Sequence, residues 1–166
     1  MKKTYLQTNL VFAAIFILLI AFDRITKKMA AVYLMKGDIK LIPNVLSLHY
    51  LENRGAAWGL FQNAFWLFFI ITILVVVVMI LFYARIPFEK SYWYLRFTVI
   101  LLTAGAIGNF VDRAVWHYVV DFIYLEWIHF PVFNVADCYV CIAAVLFIHC
   151  LLFKYKDEEF LWKKKS

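Results

Sequence analysis

Residues Phe65–Tyr83 read FWLFFIITILVVVVMILFY and carry no charged side chain. A helix that crosses a membrane needs about 20 predominantly apolar residues, and this run supplies them. The rest of the chain is of the same kind, because 66% of its 166 residues are hydrophobic and only 17% are charged. A globular core of this size has too little interior to bury so much apolar surface. The composition therefore predicts an integral membrane protein and excludes a soluble enzyme, a disordered chain and a disulfide scaffold.

Three further uncharged stretches lie at residues 4–22, 97–111 and 138–153. Together with residues 65–83 they predict an all-α integral membrane protein of four transmembrane helices, which form a single domain over residues 1–166. The expected spans are residues 6–24, 65–84, 95–113 and 136–154. We expect the first span to remain in the mature protein, because Phe22-Asp23-Arg24 ends it without the small-x-small pattern of a cleaved leader.

The basic residues are distributed unevenly between the two sides of the predicted membrane. Four spans place both termini on one side, and that side holds ten of the 17 lysine and arginine residues. Cytoplasmic segments of membrane proteins carry an excess of these residues. We therefore expect both termini in the cytoplasm. We interpret the net charge of +6 as part of this pattern, and we expect no nucleic-acid partner.

The third and fourth uncharged stretches are short, at 15 and 16 residues. Helices of that length cover roughly 24 Å of a hydrocarbon core about 30 Å thick. Asp112 and Asp137 bound these stretches, so we expect them at or slightly below the outer interface. An ionisable group at that depth is costly, and its presence indicates a functional site.

The segment between the first two spans, residues 36–61, has the composition of a small sheet on the outer surface. Gly37-Asp38 and Pro43-Asn44 are turn signals, and residues 45–51 are β-rich with partial alternation of apolar and polar side chains. The sequence therefore predicts a short β-structure that leads into the second span.

Several kinds of catalytic site find no support in the sequence. No serine lies beside a base in a recognisable motif, and the four histidines lack HExxH spacing. Cys138 and Cys141 form a CxxC without a second pair, which we interpret as two apolar helix positions. We expect neither a metal nor a cofactor.

The aspartates are the remaining candidates for chemistry. Asp121 lies in the apolar segment VVDFI, and Asp137 begins the fourth span. If two such carboxylates meet at an apolar interface, desolvation and repulsion raise the pKa of one, and the pair shares a proton. Aspartic proteases activate water in this way. The spacing does not establish contact, so two structural acids, or a proton or ion relay, remain open.

Other polar side chains gather at the same predicted level. Asp23 with Lys27, and Asn109 with Arg113, are two pairs with i,i+4 spacing on one face of a helix. Each pair is compatible with a functional site or with an interfacial contact that only stabilises the fold. Asp112, beside Arg113, is likewise structural or catalytic.

Five segments carry a resemblance to a known family: DRITK (23–27), NRGAAWG (53–59), GAIGNFVDR (105–113), VDFI (120–123) and FNVAD (133–137). In this order, along essentially the whole chain, they resemble lipoprotein signal peptidase, also called signal peptidase II, a bacterial membrane aspartic protease. Each segment is short, but their combination on a four-span chain is specific. The family fold adds a small extracytoplasmic β-cradle that lies on the membrane, and we expect one here.

The resemblance implies that Asp121 and Asp137 form the catalytic dyad. It implies eight supporting or substrate-binding positions: Asp23, Lys27, Asn53, Gly55, Asn109, Asp112, Arg113 and Asn134. It implies a substrate in which diacylglyceryl is attached to a cysteine of a prolipoprotein, with cleavage just before that cysteine. The expected enzyme is a monomer in the bacterial cytoplasmic membrane, in contact with membrane lipid, with its active site at the extracytoplasmic face.

Two other classes of function compete with the peptidase. A small proton- or ion-coupled transporter predicts charges through the depth of the bilayer, whereas the acids here cluster at one boundary. A non-enzymatic membrane scaffold explains the spans but not the gathering of asparagines and acids on one side.

Overall fold

The computed structural model describes residues 2–55 and 64–155. Within them, four helices are long and apolar enough to cross a membrane, which confirms the expected fold class. They are α1 (Lys2–Tyr33), α2 (Phe65–Arg85), α3 (Trp93–Trp116) and α4 (Val135–His149). A π-helical turn, Cys150–Lys154, prolongs α4.

Helix α3 lies at the centre of the bundle and packs against each of the other three helices. Its buried side chains extend over most of its length, from Leu95 to Asp112. Helix α2, by contrast, has no buried residue, although it is apolar on every face. A helix that is hydrophobic all round and yet uncovered by protein is suited to contact with lipid.

Two glycines allow α3 to approach its neighbours closely. A Cβ atom on Gly105 would lie 2.5 Å from the backbone oxygen of Ala136 and 2.8 Å from Cγ2 of Val140, both on α4. A Cβ atom on Gly108 would lie 2.7 Å from Oδ2 of Asp23 on α1. Small residues at such positions are the usual means of close helix contact in membranes. Here they bring the polar ends of α1, α3 and α4 together.

A three-stranded antiparallel sheet covers that end of the bundle. It consists of β1 (Ile39–Ile42), β2 (Leu46–Asn53) and β3 (Val119–Leu125), in the order β1-β2-β3. The predicted small sheet is therefore present. Its third strand comes from the segment between α3 and α4, for which the sequence analysis made no strand prediction. Residues 56–61 of the predicted outer loop lie outside the described residues.

The sheet is joined to the helices by a small apolar cluster. Ala30 and Leu34, at the end of α1, pack against Val120 and Phe122 of β3. Helix α1 therefore continues beyond Asp23, where its uncharged run ends, because its last turns have apolar partners in the sheet. This contact places β3, and with it Asp121, beside the helix ends.

Substitution Gly105→Ala should destabilise the protein by about 1–3 kcal/mol, because the added methyl group meets backbone and side chain of α4 at distances that require movement. Thermal unfolding in detergent measures the change. Ala144→Val on the exposed face of α4 is the matched control and should have little effect. An unfolding midpoint for Gly105→Ala equal to that of the control would contradict the close packing described here.

Candidate active site

Asp121 projects from β3 and is 2% exposed. Its two carboxylate oxygens are held by two different asparagines. Asn53, at the end of β2, donates from Nδ2 to Oδ2 at 2.8 Å, and Asn134 donates from Nδ2 to Oδ1 at 2.6 Å. The sheet register accounts for the first bond. Asp121 pairs with Leu51, and Asn53 lies two residues further along β2, so its side chain is on the same face of the sheet.

Asp137 occupies the third position of α4 and forms a capping box with Asn134. The backbone N–H of Asn134 donates to Oδ2 of Asp137 at 3.0 Å, and the backbone N–H of Asp137 donates to Oδ1 of Asn134 at 3.1 Å. A capping box satisfies N–H groups that a helix start leaves without intrahelical partners. Asn134 therefore contacts both aspartates, Asp121 through its amide and Asp137 through its backbone.

Asn109, on α3, connects Asp137 to a buried lysine. Its Nδ2 donates to Oδ1 of Asp137 at 2.7 Å, and its Oδ1 accepts from Nζ of Lys27 at 2.9 Å. The same Oδ1 accepts from Nδ2 of Asn134 at 3.1 Å. Because the amide oxygen of Asn109 faces the ammonium of Lys27, the NH2 group of the same amide faces Asp137.

Lys27 is 1% exposed and its ammonium lies between two carboxylates. Nζ is 3.1 Å from Oδ2 of Asp23 and 2.9 Å from Oδ2 of Asp112. Arg24 pairs with the other oxygen of Asp112. These two bases and two acids form what we call the Lys27 network.

The acids of the Lys27 network also accept hydrogen bonds from the backbone next to Asp121 and next to Asp137. Oδ2 of Asp112 accepts from the N–H of Val120, which directly precedes Asp121, at 3.3 Å. Oδ1 of Asp23 accepts from the N–H of Ala136, which directly precedes Asp137, at 3.1 Å. Asp23 and Asp112 therefore fix the backbone from which Asp121 and Asp137 project.

Arg113, on α3, contacts the backbone that follows β2 and an aromatic ring of α2. Its Nη2 donates to the backbone oxygen of Gly55 at 3.3 Å, and its guanidinium lies 4.7 Å from the ring centre of Phe68 on α2. The N–H of Gly55 donates to Oδ1 of Asn53 at 3.0 Å. Arg113 also interacts electrostatically with Asp121, Asp137 and Asp112.

A cavity of about 500 Å³ opens onto both aspartates. Asn53, Gly55 and Arg113 line it on the polar side. The remaining wall is apolar and comes from α2, α4 and the segment after β3; it includes Phe68, Leu125, Ile128, Phe130, Pro131 and Phe133. A cavity with few polar groups in an apolar wall is typical of a binding site for a largely apolar ligand.

Burial raises the pKa of Asp121 to about 7, and the charge of Asp137 acts in the same direction. The hydrogen bonds from Asn53 and Asn134 oppose this shift. The positive charge of Lys27 also opposes it. Arg113 adds a further positive charge near both aspartates.

The structure brings all ten predicted site residues to one end of the bundle. Five line this cavity and three belong to the Lys27 network, while Asn109 and Asn134 connect the two groups. The sequence analysis missed Arg24, whose bond to Asp112 has no distinctive spacing, and the apolar wall after β3. Among the described residues, no group of three or more His, Cys, Asp or Glu side chains is arranged to hold a metal ion.

A four-helix membrane bundle with two aspartates that are joined through Asn134 and line a cavity at one end defines a membrane-embedded protein with a site fit for acid–base chemistry. A family profile described as signal peptidase (SPase) II matches residues 15–153. The chain therefore belongs to the signal peptidase II family and is a peptidase of the membrane.

Named relatives and solved structures agree with this assignment. The chain is 40% identical over 159 residues to a lipoprotein signal peptidase of Streptococcus agalactiae serotype Ia, with 95% of this chain and 96% of the relative covered. It is 37% identical over 145 residues to a lipoprotein signal peptidase of Streptococcus pyogenes serotype M5, with 87% and 92% covered. A bacterial membrane enzyme solved by the in meso method at 2.3 Å is 32% identical, with a TM-score of 0.74 and 94% and 93% covered.

Replacing Lys27 by methionine should destabilise the protein by about 3–5 kcal/mol, because it leaves the buried carboxylates of Asp23 and Asp112 without their shared base. Lys28→Met is the matched control, because Lys28 is the next residue on α1 and is exposed. Unfolding midpoints in detergent compare the two variants. Equal losses would contradict a structural role for the Lys27 network.

Proposed function

We propose that this peptidase is an aspartic endopeptidase with Asp121 and Asp137 as its catalytic dyad. The observation that carries the proposal is Asn134, which bonds both carboxylates at the wall of one cavity. Two carboxylates in such a position divide acid and base work between them, because their environments favour different protonation states.

The two environments support a definite assignment of roles. Asp121 lies on a buried strand, and burial raises its pKa to about 7. Asp137 lies at the N-terminus of α4, where its carboxylate accepts the backbone N–H of Asn134. In the proposed resting state, Asp121 holds the proton that the two carboxylates share.

The proposed reaction needs only these groups and a water molecule. Asp137 takes a proton from the water as it attacks the scissile carbonyl carbon, and Asp121 shares its proton with the carbonyl oxygen. Collapse of the tetrahedral intermediate breaks the C–N bond while a proton from the dyad reaches the leaving nitrogen. Asn53, Asn109 and Asn134 keep the carboxylates in place throughout.

The proposed substrate is a prolipoprotein whose cysteine carries diacylglyceryl, cleaved just before that cysteine. The names of the relatives from Streptococcus support the lipoprotein substrate. The apolar wall of the cavity, next to a helix without buried residues, supports a lipid-bearing ligand that arrives from the bilayer. The supporting positions Gly55 and Arg113 lie at the polar rim, where a peptide backbone would bind.

We place the enzyme in the bacterial cytoplasmic membrane as a monomer of one domain, with both termini in the cytoplasm and the dyad at the extracytoplasmic face. The buried ion pairs of the described residues support a peptidase over a transporter. Asp23, Lys27, Asp112 and the dyad lie at the end of the bundle that carries the sheet, and no ion pair between described residues lies at mid-span.

Asp121→Asn and Asp137→Asn, made separately, should each lower kcat for a diacylglyceryl-modified prolipoprotein peptide by about 10²–10⁴-fold, because each removes one partner of the acid–base pair. Cleavage is followed in detergent or reconstituted bilayers. Asp38→Asn, an exposed carboxylate of the same outer region paired with His49, is the matched control and should keep normal turnover.

Near-normal cleavage by either dyad variant would show that the dyad is misassigned. The same assay with an unlipidated peptide tests the substrate. Equal cleavage of the lipidated and unlipidated peptides by the wild-type enzyme would overturn the lipid requirement while leaving the catalytic type intact.

The proposed dyad also predicts a pH profile. Above about pH 7 Asp121 loses its proton, the dyad holds none, and no acid remains for the leaving group. The value of kcat/KM should therefore fall on the alkaline side, by about tenfold per pH unit for a single proton. A substrate without ionisable groups near the scissile bond isolates this effect. A value of kcat/KM that stays flat through this range would contradict a shared proton on the dyad.

A further inference from the structure

Two of the three cysteines line the cavity of the catalytic pair. Cys138 directly follows Asp137 on α4, and Cys141 lies three residues further, on the same side of the helix. Both are free thiols; Cys141 is exposed and Cys138 is half-buried. The third, Cys150, is 0% exposed and lies in a separate apolar cluster near Ile86 and Leu95.

The setting of the two thiols is that of a ligand site. They share the cavity with Asp121, Asp137 and Arg113 on the polar side and with aromatic rings on the other. Because both residues line the cavity and neither forms a disulfide, a reagent that enters the cavity can reach their sulfur atoms. The apolar wall selects uncharged reagents, because a charged reagent would lose its hydration on entry.

We propose that Cys138 and Cys141 form a covalent modification site inside the active-site cavity, which takes small, uncharged, thiol-directed electrophiles. For a maleimide, the sulfur bonds to one alkene carbon, and the neighbouring carbon takes a proton in place of the one that the thiol released. The attached group occupies the space beside Asp137 and excludes substrate. The exclusion of substrate rests on the proposed function, whereas the modification of the two thiols does not.

This assigns to the chain a property that the aspartic mechanism does not require. The thiols take no part in the chemistry, so a reagent acts here by filling space next to the dyad. Cys150 provides an internal reference, because it has the same chemistry without access to the cavity.

The experiment treats the full-length enzyme in detergent with N-ethylmaleimide. Peptide mass spectrometry locates the adduct, and cleavage of a diacylglyceryl-modified peptide is measured on the same samples. We expect adducts on Cys141 and Cys138, none on Cys150, and a loss of cleavage in proportion to the modified fraction. Excess lipidated peptide present during treatment should slow the modification.

Three variants sharpen the result. Cys138→Ser combined with Cys141→Ser should remove both adduct and inhibition, judged against its own untreated sample. Each single serine variant shows which thiol accounts for the loss. Cys150→Ser should respond as the wild type does.

Adducts confined to Cys150, or no adduct under conditions that modify all three thiols of the unfolded chain, would overturn the site. Full modification of Cys138 and Cys141 with unchanged cleavage would overturn the exclusion of substrate. Untreated enzyme that cleaves no lipidated peptide speaks against the proposed function, while the position of the adduct still decides whether the site exists.

Discussion

The ion pairs of the buried Lys27 ammonium are the interactions on which the sheet-bearing end of this bundle depends. The ammonium pairs with the carboxylates of Asp23 on α1 and Asp112 on α3. It also donates a hydrogen bond to Asn109 on α3. Charges buried away from water are tolerated when paired, and removing one partner leaves another charge uncompensated. Helices α1 and α3 therefore cannot slide or rotate against each other without breaking this arrangement. Gly108 makes it sterically possible, since a side chain there would meet the carboxylate of Asp23.

Short hydrogen-bonded paths connect Lys27 to Asp121 and Asp137, the proposed catalytic pair. Asp112 holds the N–H that precedes Asp121, and Asp23 holds the N–H that precedes Asp137. Asn109 adds a third path, from the ammonium to the carboxylate of Asp137. Carboxylates that work as acid and base must keep their geometry through the reaction, and sites built on rigid elements with a supporting layer hold it best. Asp23 and Asp112, which do not line the cavity, thus determine the orientation of Asp121 and Asp137, which do.

The sequence predicted the parts of the fold that the bilayer constrains directly. A hydrocarbon core demands long uncharged helices, so four uncharged runs were enough to predict four spans and their order. The i,i+4 pair Asp23 and Lys27 was likewise readable, because a helix fixes that spacing. Strand β3 was not, since its partner β2 lies about 70 residues earlier in the chain and its apolar segment has no turn signal that would indicate pairing. The capping box of Asn134 with Asp137 is local, but the contact of Asn134 with Asp121 depends on where β3 lies. Spacing alone therefore left the dyad, two structural acids and an ion relay open. The resemblance to signal peptidase II singled out the residues, and the fold shows how they meet.

The two aspartates sit on different kinds of secondary structure, and this difference bears on their chemistry. A strand offers Asp121 no net dipole, so burial dominates and favours the neutral acid. Asp137 instead lies at a helix start, where its carboxylate accepts the N–H of Asn134 and closes a capping box. In the proposed dyad, the burial of Asp121 therefore gives a single shared proton a preferred place, and Asn134 joins that buried acid to the carboxylate at the helix start.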